Sequence, residues 1–308
     1  MRSIQALSGR TVLAAIVAAV IATTLGAAGL SAAQTGAGES ERKTQLRATH
    51  DVISYGEQFG LGGSVPGDRG TEVRLQFRPA GAAGWRKLRN LHTSRDGDFA
   101  VRLGARRSGS FRAVPRRGRI STLESIRVRA VTTLHVSRHE ASVGDAVAVT
   151  GRVRPGGRRK VKIVIRGAEK QLLKTTSTAS GRFGLRWEPS APGSFEVRAH
   201  VAGNEVAAGA ASVSRSVTSY RPALASWYGP GLYGNRTGCG QTLTPGIIGV
   251  AHKSIACGTK ITFRYKGRTV RAPVIDRGPY VGSREFDLTE ELKQRLGFGS
   301  TGIVYVSR

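Results

Sequence analysis

The chain has 308 residues, 39% of them hydrophobic, and a formal net charge of +28. The length predicts two or three domains. The hydrophobic content allows several small cores and excludes a membrane-embedded protein. The charge predicts a polyanionic partner: nucleic acid, an anionic membrane or an anionic cell-wall polymer.

The N-terminal segment, residues 1–33, has the pattern of an export signal. Arg2 and Arg10 precede an uncharged apolar run over 11–33, which ends in small residues before Gln34. The run is also long enough to span a bilayer, which takes ~20 residues, so an uncleaved N-terminal anchor is the alternative. Export predicts a secreted or cell-envelope location, and it favours a charged wall polymer over nucleic acid as the partner.

Two similar β-rich segments follow a short polar stretch, residues 34–45, that is interpreted as a linker. Residues 46–129 contain short alternating runs such as EVRLQFRP and DFAVRLGA, separated by Gly, Pro and Asp. Residues 130–215 repeat this plan, since GSFEV at 193–197 matches GSFRA at 109–113. The repeat predicts two tandem Ig-like β-sandwiches, similar in pattern to the Ig-like spacer modules of bacterial surface proteins.

These two segments carry most of the charge. Residues 34–220 hold 33 basic and 15 acidic side chains, a net of +18. Two interpretations stay open: a solvated face that keeps the protein soluble, or electrostatic attachment to anionic wall polymers. His135 and His139 would lie about 13 Å apart along a strand, too far for one metal ion, and are interpreted as structural.

The C-terminal region, residues 223–308, has a different pattern and follows a second expected linker, residues 216–222. KITFRY and RTVRAPVID alternate on either side of Lys266-Gly267, which predicts a β-hairpin. DLTEELKQRLG at 287–297 predicts a single helix with a capping-box-like start. The region is predicted to be a small β-barrel with one short helix.

Cys239 and Cys257 are the only cysteines. In an exported protein such a pair predicts a disulfide, which would stabilise the fold by ~3 kcal/mol through the loop that it closes. The alternative is a metal site that includes His252, but this set lacks the usual fourth ligand. No metal and no cofactor are expected.

Asp276 is an isolated acid. The preceding acidic residue is Glu205, and the stretch between them contains no carboxylate. Asp276 ends an apolar strand and enters an Arg-Gly-Pro turn, a type of loop that often holds functional groups; an Asx-type turn cap is the alternative. Asp287 has the alternative of a helix N-cap, and Glu285 beside Arg284 is interpreted as half of a surface pair.

Five motifs of the C-terminal region carry a resemblance: SWYGPGLYGNRTGCGQT (226–242), AHK (251–253), CGT (257–259), VIDRGPYVGSREFDLT (274–289) and the terminal LGFGSTGIVYV. In this order they resemble the rare lipoprotein A (RlpA) family over nearly all of 224–308. The resemblance implies a six-stranded double-psi β-barrel. The Thr-Gly-Cys-Gly stretch and the paired cysteines also resemble the barrel of expansins.

The RlpA resemblance implies a lytic transglycosylase that acts on peptidoglycan. In that chemistry an acid protonates the glycosidic oxygen and the muramyl 6-hydroxyl closes on the anomeric carbon, so no water nucleophile is needed. Asp276 matches the key acid of the Asp-Arg-Gly-Pro motif. The second key acid of the family, a Glu, is replaced here by Gln241, which can form hydrogen bonds but cannot transfer a proton.

The remaining candidate site residues come from the same motifs of the C-terminal region. His252 is either an alternative proton carrier near Asp276 or a buried, hydrogen-bonded histidine. Trp227 offers a ring for sugar stacking, with a place in the core as the alternative. The side chains expected to bind the glycan are Trp227, Tyr228, Tyr233, Arg277 and Asp287.

Three functions are therefore open. The first is a lytic transglycosylase that uses Asp276, and the second is a non-catalytic, expansin-like module that binds or loosens the wall. The third is a structural envelope protein whose basic sandwiches do the binding. The replacement at Gln241 favours the second function, and the intact Asp-Arg-Gly-Pro motif supports the first.

Overall fold

The computed structural model describes residues 43–67 and 69–308. The predicted export signal and most of the first linker lie outside the described residues. Within the described part of the chain, no helix is long and apolar enough to cross a membrane. The chain forms two compact units: residues up to Val131 with Val153–Pro155 and Ala202–Ala210, and Thr132–Arg152 with Gly156–Val201 and Ala211–Arg308.

The first β-sandwich packs two sheets, with strand orders β1-β3-β6 and β2-β8-β7-β4-β5. Its strands are β1 (Arg47–Ala48), β2 (Val52–Ser54), β3 (Gln58–Ser64), β4 (Glu72–Pro79), β5 (Arg86–His92), β6 (Asp98–Gly104), β7 (Gly109–Pro115) and β8 (Glu124–Arg129). The predicted alternation in EVRLQFRP is confirmed, because Val73 and Leu75 are fully buried while Arg74 between them is exposed.

The second β-sandwich repeats this topology, with sheets β9-β11-β14 and β10-β17-β15-β12-β13. The equivalent parallel pairs, β2 with β8 and β10 with β17, occur in both sandwiches, so two tandem Ig-like sandwiches are confirmed. The strands are β9 (Val131–Val136), β10 (Glu140–Ser142), β11 (Val147–Arg154), β12 (Lys160–Arg166), β13 (Lys170–Thr176), β14 (Arg182–Trp187), β15 (Gly193–Val201), β16 (Ala210–Ala211) and β17 (Arg215–Tyr228).

The expected linker at 216–222 is wrong. These residues lie inside β17, a 14-residue strand whose first part pairs with β15 and β10 and whose second part enters the C-terminal domain. Val217 and Tyr220 are buried within it. β-branched and aromatic residues suit a pleated strand. The second sandwich and the C-terminal domain share this one strand, so no flexible segment is needed between them.

The C-terminal domain is a closed six-stranded barrel. Its strand order is β17-β21-β18-β20-β19-β22, and β22 pairs back onto β17. Fully buried side chains such as Phe263, Phe286 and Val304 fill the interior. The added strands are β18 (Val250–Ala251), β19 (Lys260–Tyr265), β20 (Arg268–Asp276), β21 (Phe286–Thr289) and β22 (Gly302–Ser307).

The predicted hairpin is confirmed, since β19 and β20 pair antiparallel and both Lys266 and Gly267 adopt positive φ at the turn. The helix is shorter than expected: α1 (Glu290–Leu296) starts after Thr289 and is capped by Gly297 at φ 65°. The first residues of the expected helix pair in β21 instead, because closing the barrel requires this strand beside β17.

Candidate functional site

Asp276 is the last residue of β20, half-buried beside the turn that precedes Cys239. Its Oδ1 accepts hydrogen bonds of 2.7 Å from the backbone N–H of Gly238 and from that of Arg277. A Cβ at position 238 would lie 2.7 Å from Cγ of Arg277, so only glycine allows this approach. The 238 turn therefore fixes the orientation of the carboxylate.

The disulfide between Cys239 and Cys257 is confirmed, with the two Cα atoms 5.8 Å apart. Since both sulfurs are bonded to each other, the alternative metal site is excluded. The bond joins the turn that contacts Asp276 to the loop after β18.

The side chain of Arg277 forms hydrogen bonds with the loop after β18. Its guanidinium donates to the carbonyl oxygen of Ile255 at 2.7 Å, to that of His252 at 3.2 Å and to Sγ of Cys257 at 3.0 Å. The side chain expected to bind substrate thus has three protein partners. The structure gives Arg277 a positioning role for the loop and the disulfide beside Asp276.

Tyr228 ends β17 near two of the candidate acids. Burial raises the pKa of its hydroxyl, and the negative charges of Asp276 and Asp287 raise it further. Within the described residues, the hydroxyl is buried and makes no hydrogen bond of ordinary length. It therefore stays protonated at neutral pH and can donate toward a neighbouring carboxylate or a ligand oxygen.

Asp287 is a strand residue of β21 and not the helix N-cap. The cap is Thr289, whose Oγ1 accepts from the N–H of Leu292. Asp287 Oδ1 instead accepts a hydrogen bond from Ser226 Oγ, which also receives one from Arg284 at 2.8 Å. Asp287 is thus part of a polar cluster on the same strand pair as Tyr228.

His252 faces Glu285 and not Asp276. Its Nδ1 accepts from the N–H of Ser254 and Ile255 at 3.1 and 2.9 Å, which assigns the proton to Nε2, and Nε2 lies 3.7 Å from Glu285 Oε1. The contact of His252 with Asp276 involves the backbone alone: the His252 N–H donates to the Asp276 carbonyl oxygen at 3.2 Å. Burial lowers the pKa of the imidazole, although Glu285 opposes this shift.

The interpretation of Glu285 as a partner of Arg284 is wrong. Both of its carboxylate oxygens bind the guanidinium of Arg221, which lowers the pKa of Glu285. Sequence reasoning could not find this pair, because the two residues are 64 positions apart and meet only when β17 and β21 become neighbours. A carboxylate held ionised in this way is a poor proton donor.

The aromatic residues expected to stack on sugars already have protein partners. Lys293 Nζ lies 3.4 Å from the ring centroid of Trp227, which also packs against the barrel core. The hydroxyl of Tyr233 binds Glu290. Tyr280, which was not among the predicted binding residues, is 76% exposed in the loop that follows Asp276.

Gln241 lies in the same turn as Gly238. Its backbone is fixed by Thr237, whose N–H donates to the Gln241 carbonyl oxygen at 2.7 Å and whose Oγ1 accepts from the Gln241 N–H at 3.2 Å. The residue is exposed. The turn thus links residue 241 to Asp276 through Gly238.

The C-terminal domain is similar to known proteins. A family model described as "Lytic transglycolase" matches residues 222–308. The probable endolytic peptidoglycan transglycosylase RlpA of Synechocystis is 37% identical over 82 residues, and the RlpA of Campylobacter jejuni is 36% identical over 81. These matches cover 26% of this chain and 26% and 30% of the relatives.

The chain thus spans less than a third of the length of these two relatives. Over 82% of its length it also superposes on the Yersinia pseudotuberculosis adhesin InvE, with 76% of that chain covered, 11% identity and a TM-score of 0.32. That score is too low for any conclusion about function.

Proposed function

Because residues 222–308 form an RlpA-like double-psi β-barrel domain, we propose that this protein is exported and acts on the glycan strands of peptidoglycan. The proposed reaction is that of a lytic transglycosylase. The relatives named above carry this activity in their names, and Asp276 is the residue that the sequence resemblance implies as the acid.

The proposal rests mainly on the position and hydrogen bonds of Asp276. It ends a barrel strand, is oriented by the Gly238 N–H through Oδ1, and has the buried hydroxyl of Tyr228 nearby. A structural turn cap needs only the local Arg277 N–H. The additional contact, from a turn 38 positions away, is what a preoriented catalytic or binding group requires.

The proposed reaction can proceed with one carboxyl group, although more slowly than with two. Protonated Asp276 gives its proton to the glycosidic oxygen as the C–O bond breaks. The muramyl 6-hydroxyl attacks the anomeric carbon, and its proton passes to the Asp276 carboxylate. The products are a free hydroxyl on one sugar and a 1,6-anhydro ring on the other, and the acid returns to its starting state.

Gln241 lowers the expected rate. A positioned general acid or base contributes ~10²–10⁴-fold, and an amide at this position keeps a hydrogen-bonding group while removing proton transfer. We therefore expect weak cleavage. The same replacement favours a second candidate, an expansin-like module in which Asp276 binds a sugar hydroxyl without catalysis.

The proposal is tested by digestion of purified peptidoglycan with the full-length chain, with 1,6-anhydromuramyl products counted by mass spectrometry. Asp276→Asn should abolish product formation, and the control Asp96→Asn, at an exposed turn of the first sandwich, should leave it unchanged. Product formation that survives Asp276→Asn would overturn the site assignment. If no protein cleaves but Asp276→Asn loses glycan binding, the binding module is correct.

A further inference from the structure

The larger sheet of the second sandwich turns a row of cations toward solvent. Strand β12 buries Val161, Ile163 and Ile165 toward the core, and its outer face presents exposed Lys162 and Arg166 on either side of Val164, which is buried. This alternation is the normal consequence of a strand with one face in a core. The exposed face extends over the two neighbours of β12, strands β13 and β15.

Like charges lie directly opposite each other on this face. In the β12–β13 register Lys162 is the partner of Lys174, and Arg166 is the partner of Lys170. Like charges in directly opposed positions destabilise a sheet. Within the described residues, none of these four side chains forms a salt bridge, and only Glu196, opposite Arg166 on β15, brings an acid into the register.

Several positive charges of this face act on the same side chain, that of His200 on β15. Its position opposite Lys162 places it on the same face. Burial lowers the pKa of His200, and Arg198, Arg166, Lys162 and Lys170 lower it further. Cations on three adjacent strands therefore act together at one point, as expected for a continuous region of positive potential.

The equivalent face of the first sandwich differs. There the guanidinium carbons of Arg78 and Arg112 lie 4.9 and 4.3 Å from the ring centroid of Trp85, and Arg112 also donates to Gln76 at 2.8 Å. Those arginines have protein partners. On the face of the second sandwich, Arg198 donates to the carbonyl oxygen of Ser212 at 2.9 Å, whereas the two opposed pairs, Lys162 with Lys174 and Arg166 with Lys170, have repulsion in place of such contacts.

We propose that this face, formed by Lys162, Arg166, Lys170, Lys174 and Arg198, binds a linear polyanion of the cell envelope. Neighbouring strands are ~4.8 Å apart, and the two cations on each of β12 and β13 are four residues, or ~13 Å, apart, with Arg198 of β15 opposite the Val164 that lies between them. An array of cations extended over that length matches several charges along a linear chain better than one compact anion. Binding would also relieve the repulsion between the opposed cations, and this inference does not depend on the activity of the barrel.

The test uses the full-length chain with linear inorganic polyphosphate as the probe. The face variant is Lys162→Gln, Arg166→Gln and Lys170→Gln together. The matched control is Arg152→Gln, Arg182→Gln and Arg186→Gln, which removes the same charge from exposed positions on the smaller sheet of the same sandwich. That sheet has one like-charge pair of its own, Arg152 opposite Arg182.

The face variant should weaken polyphosphate binding at least tenfold and reduce its salt dependence, whereas the control should change affinity less than threefold. Equal losses in both variants, or no binding by the natural protein, would overturn the proposal. So would tighter binding of duplex DNA than of polyphosphate on this face. If the triple variant does not fold, Lys170→Gln alone, on the edge strand, should still weaken binding about twofold to threefold against Arg182→Gln.

Discussion

The backbone N–H of Gly238 donates to Oδ1 of Asp276 at 2.7 Å, and the next residue, Cys239, is bonded to Cys257. The disulfide therefore lies one residue from the contact that orients the candidate acid. Arg277, the residue after Asp276, donates to Sγ of Cys257. These bonds therefore connect the turn at Gly238, the loop that contains Cys257 and the end of β20.

Removing the disulfide should destabilise this part of the barrel. We expect Cys239→Ser with Cys257→Ser to lower the free energy of unfolding by ~3 kcal/mol, because the open loop gains conformational entropy in the unfolded state. Chemical denaturation of both proteins measures this difference. Thiol labelling of the unreduced, denatured natural protein should find no free thiol, and two reactive thiols would contradict the prediction.

Gln241→Glu should increase the rate of glycan cleavage. A carboxyl group in the turn that contacts Asp276 restores the second proton-transfer group, which is worth ~10²–10⁴-fold when it is well positioned. Initial rates of anhydromuramyl product formation compare the two proteins. Thr242→Glu, next in the chain and also exposed, controls for added negative charge, and an equal gain there would show that charge alone is responsible.

Tyr280→Ala should weaken binding of peptidoglycan, because Tyr280 is exposed in the loop that follows Asp276 while Trp227 and Tyr233 have protein partners. An exposed aromatic ring at a site is suited to stacking on a sugar face, and we expect a loss of about threefold to tenfold. Tyr305→Ala, at a ring that is 40% exposed on β22, is the control.

Binding of the natural protein and the tyrosine variants is measured by co-sedimentation with insoluble peptidoglycan, under conditions in which no glycan is cleaved. A loss confined to Tyr280→Ala, with Tyr280→Trp binding normally, identifies an aromatic contact. Equal binding by all four proteins would exclude it, whether or not the barrel cleaves glycan.

His252 should make stability depend on pH. Burial lowers its pKa below the ordinary 6.5, so between the two values the unfolded chain binds a proton that the folded chain does not. Stability therefore rises with pH through the window below 6.5 and is lost as the pH falls. His252→Asn, whose Oδ1 can accept the bonds now made to Nδ1, should remove this contribution.

The measurement is the melting temperature of each protein between about pH 7 and about pH 5. The decrease should be smaller in His252→Asn than in the natural protein, and His92→Asn, at an exposed residue of the first sandwich, should follow the natural protein. Identical decreases in all three would show that His252 does not titrate differently on folding.

Local patterns of the sequence were enough to predict the elements whose cause is local. Alternation predicted the strands, Lys266-Gly267 predicted the hairpin turn, and two cysteines together with a predicted export signal predicted the disulfide. Strand period and turn conformation depend on near neighbours, so a short window of sequence contains the information. The repeat similarly predicted two sandwiches of equal topology.

Which side chains meet depends on the folded arrangement of the strands. The pairs Gly238–Asp276 and Arg221–Glu285 are 38 and 64 positions apart, and the contact of Tyr233 with its glutamate spans 57. The contacts with residues 285 and 290 form because the barrel places β17 beside β21, an order that no local pattern encodes, and the Gly238 contact forms next to the Cys239–Cys257 disulfide. Residues 216–222 form part of a strand for the same reason. This segment joins the second sandwich to the barrel, and strand pairing on both sides stabilises it more than flexibility would.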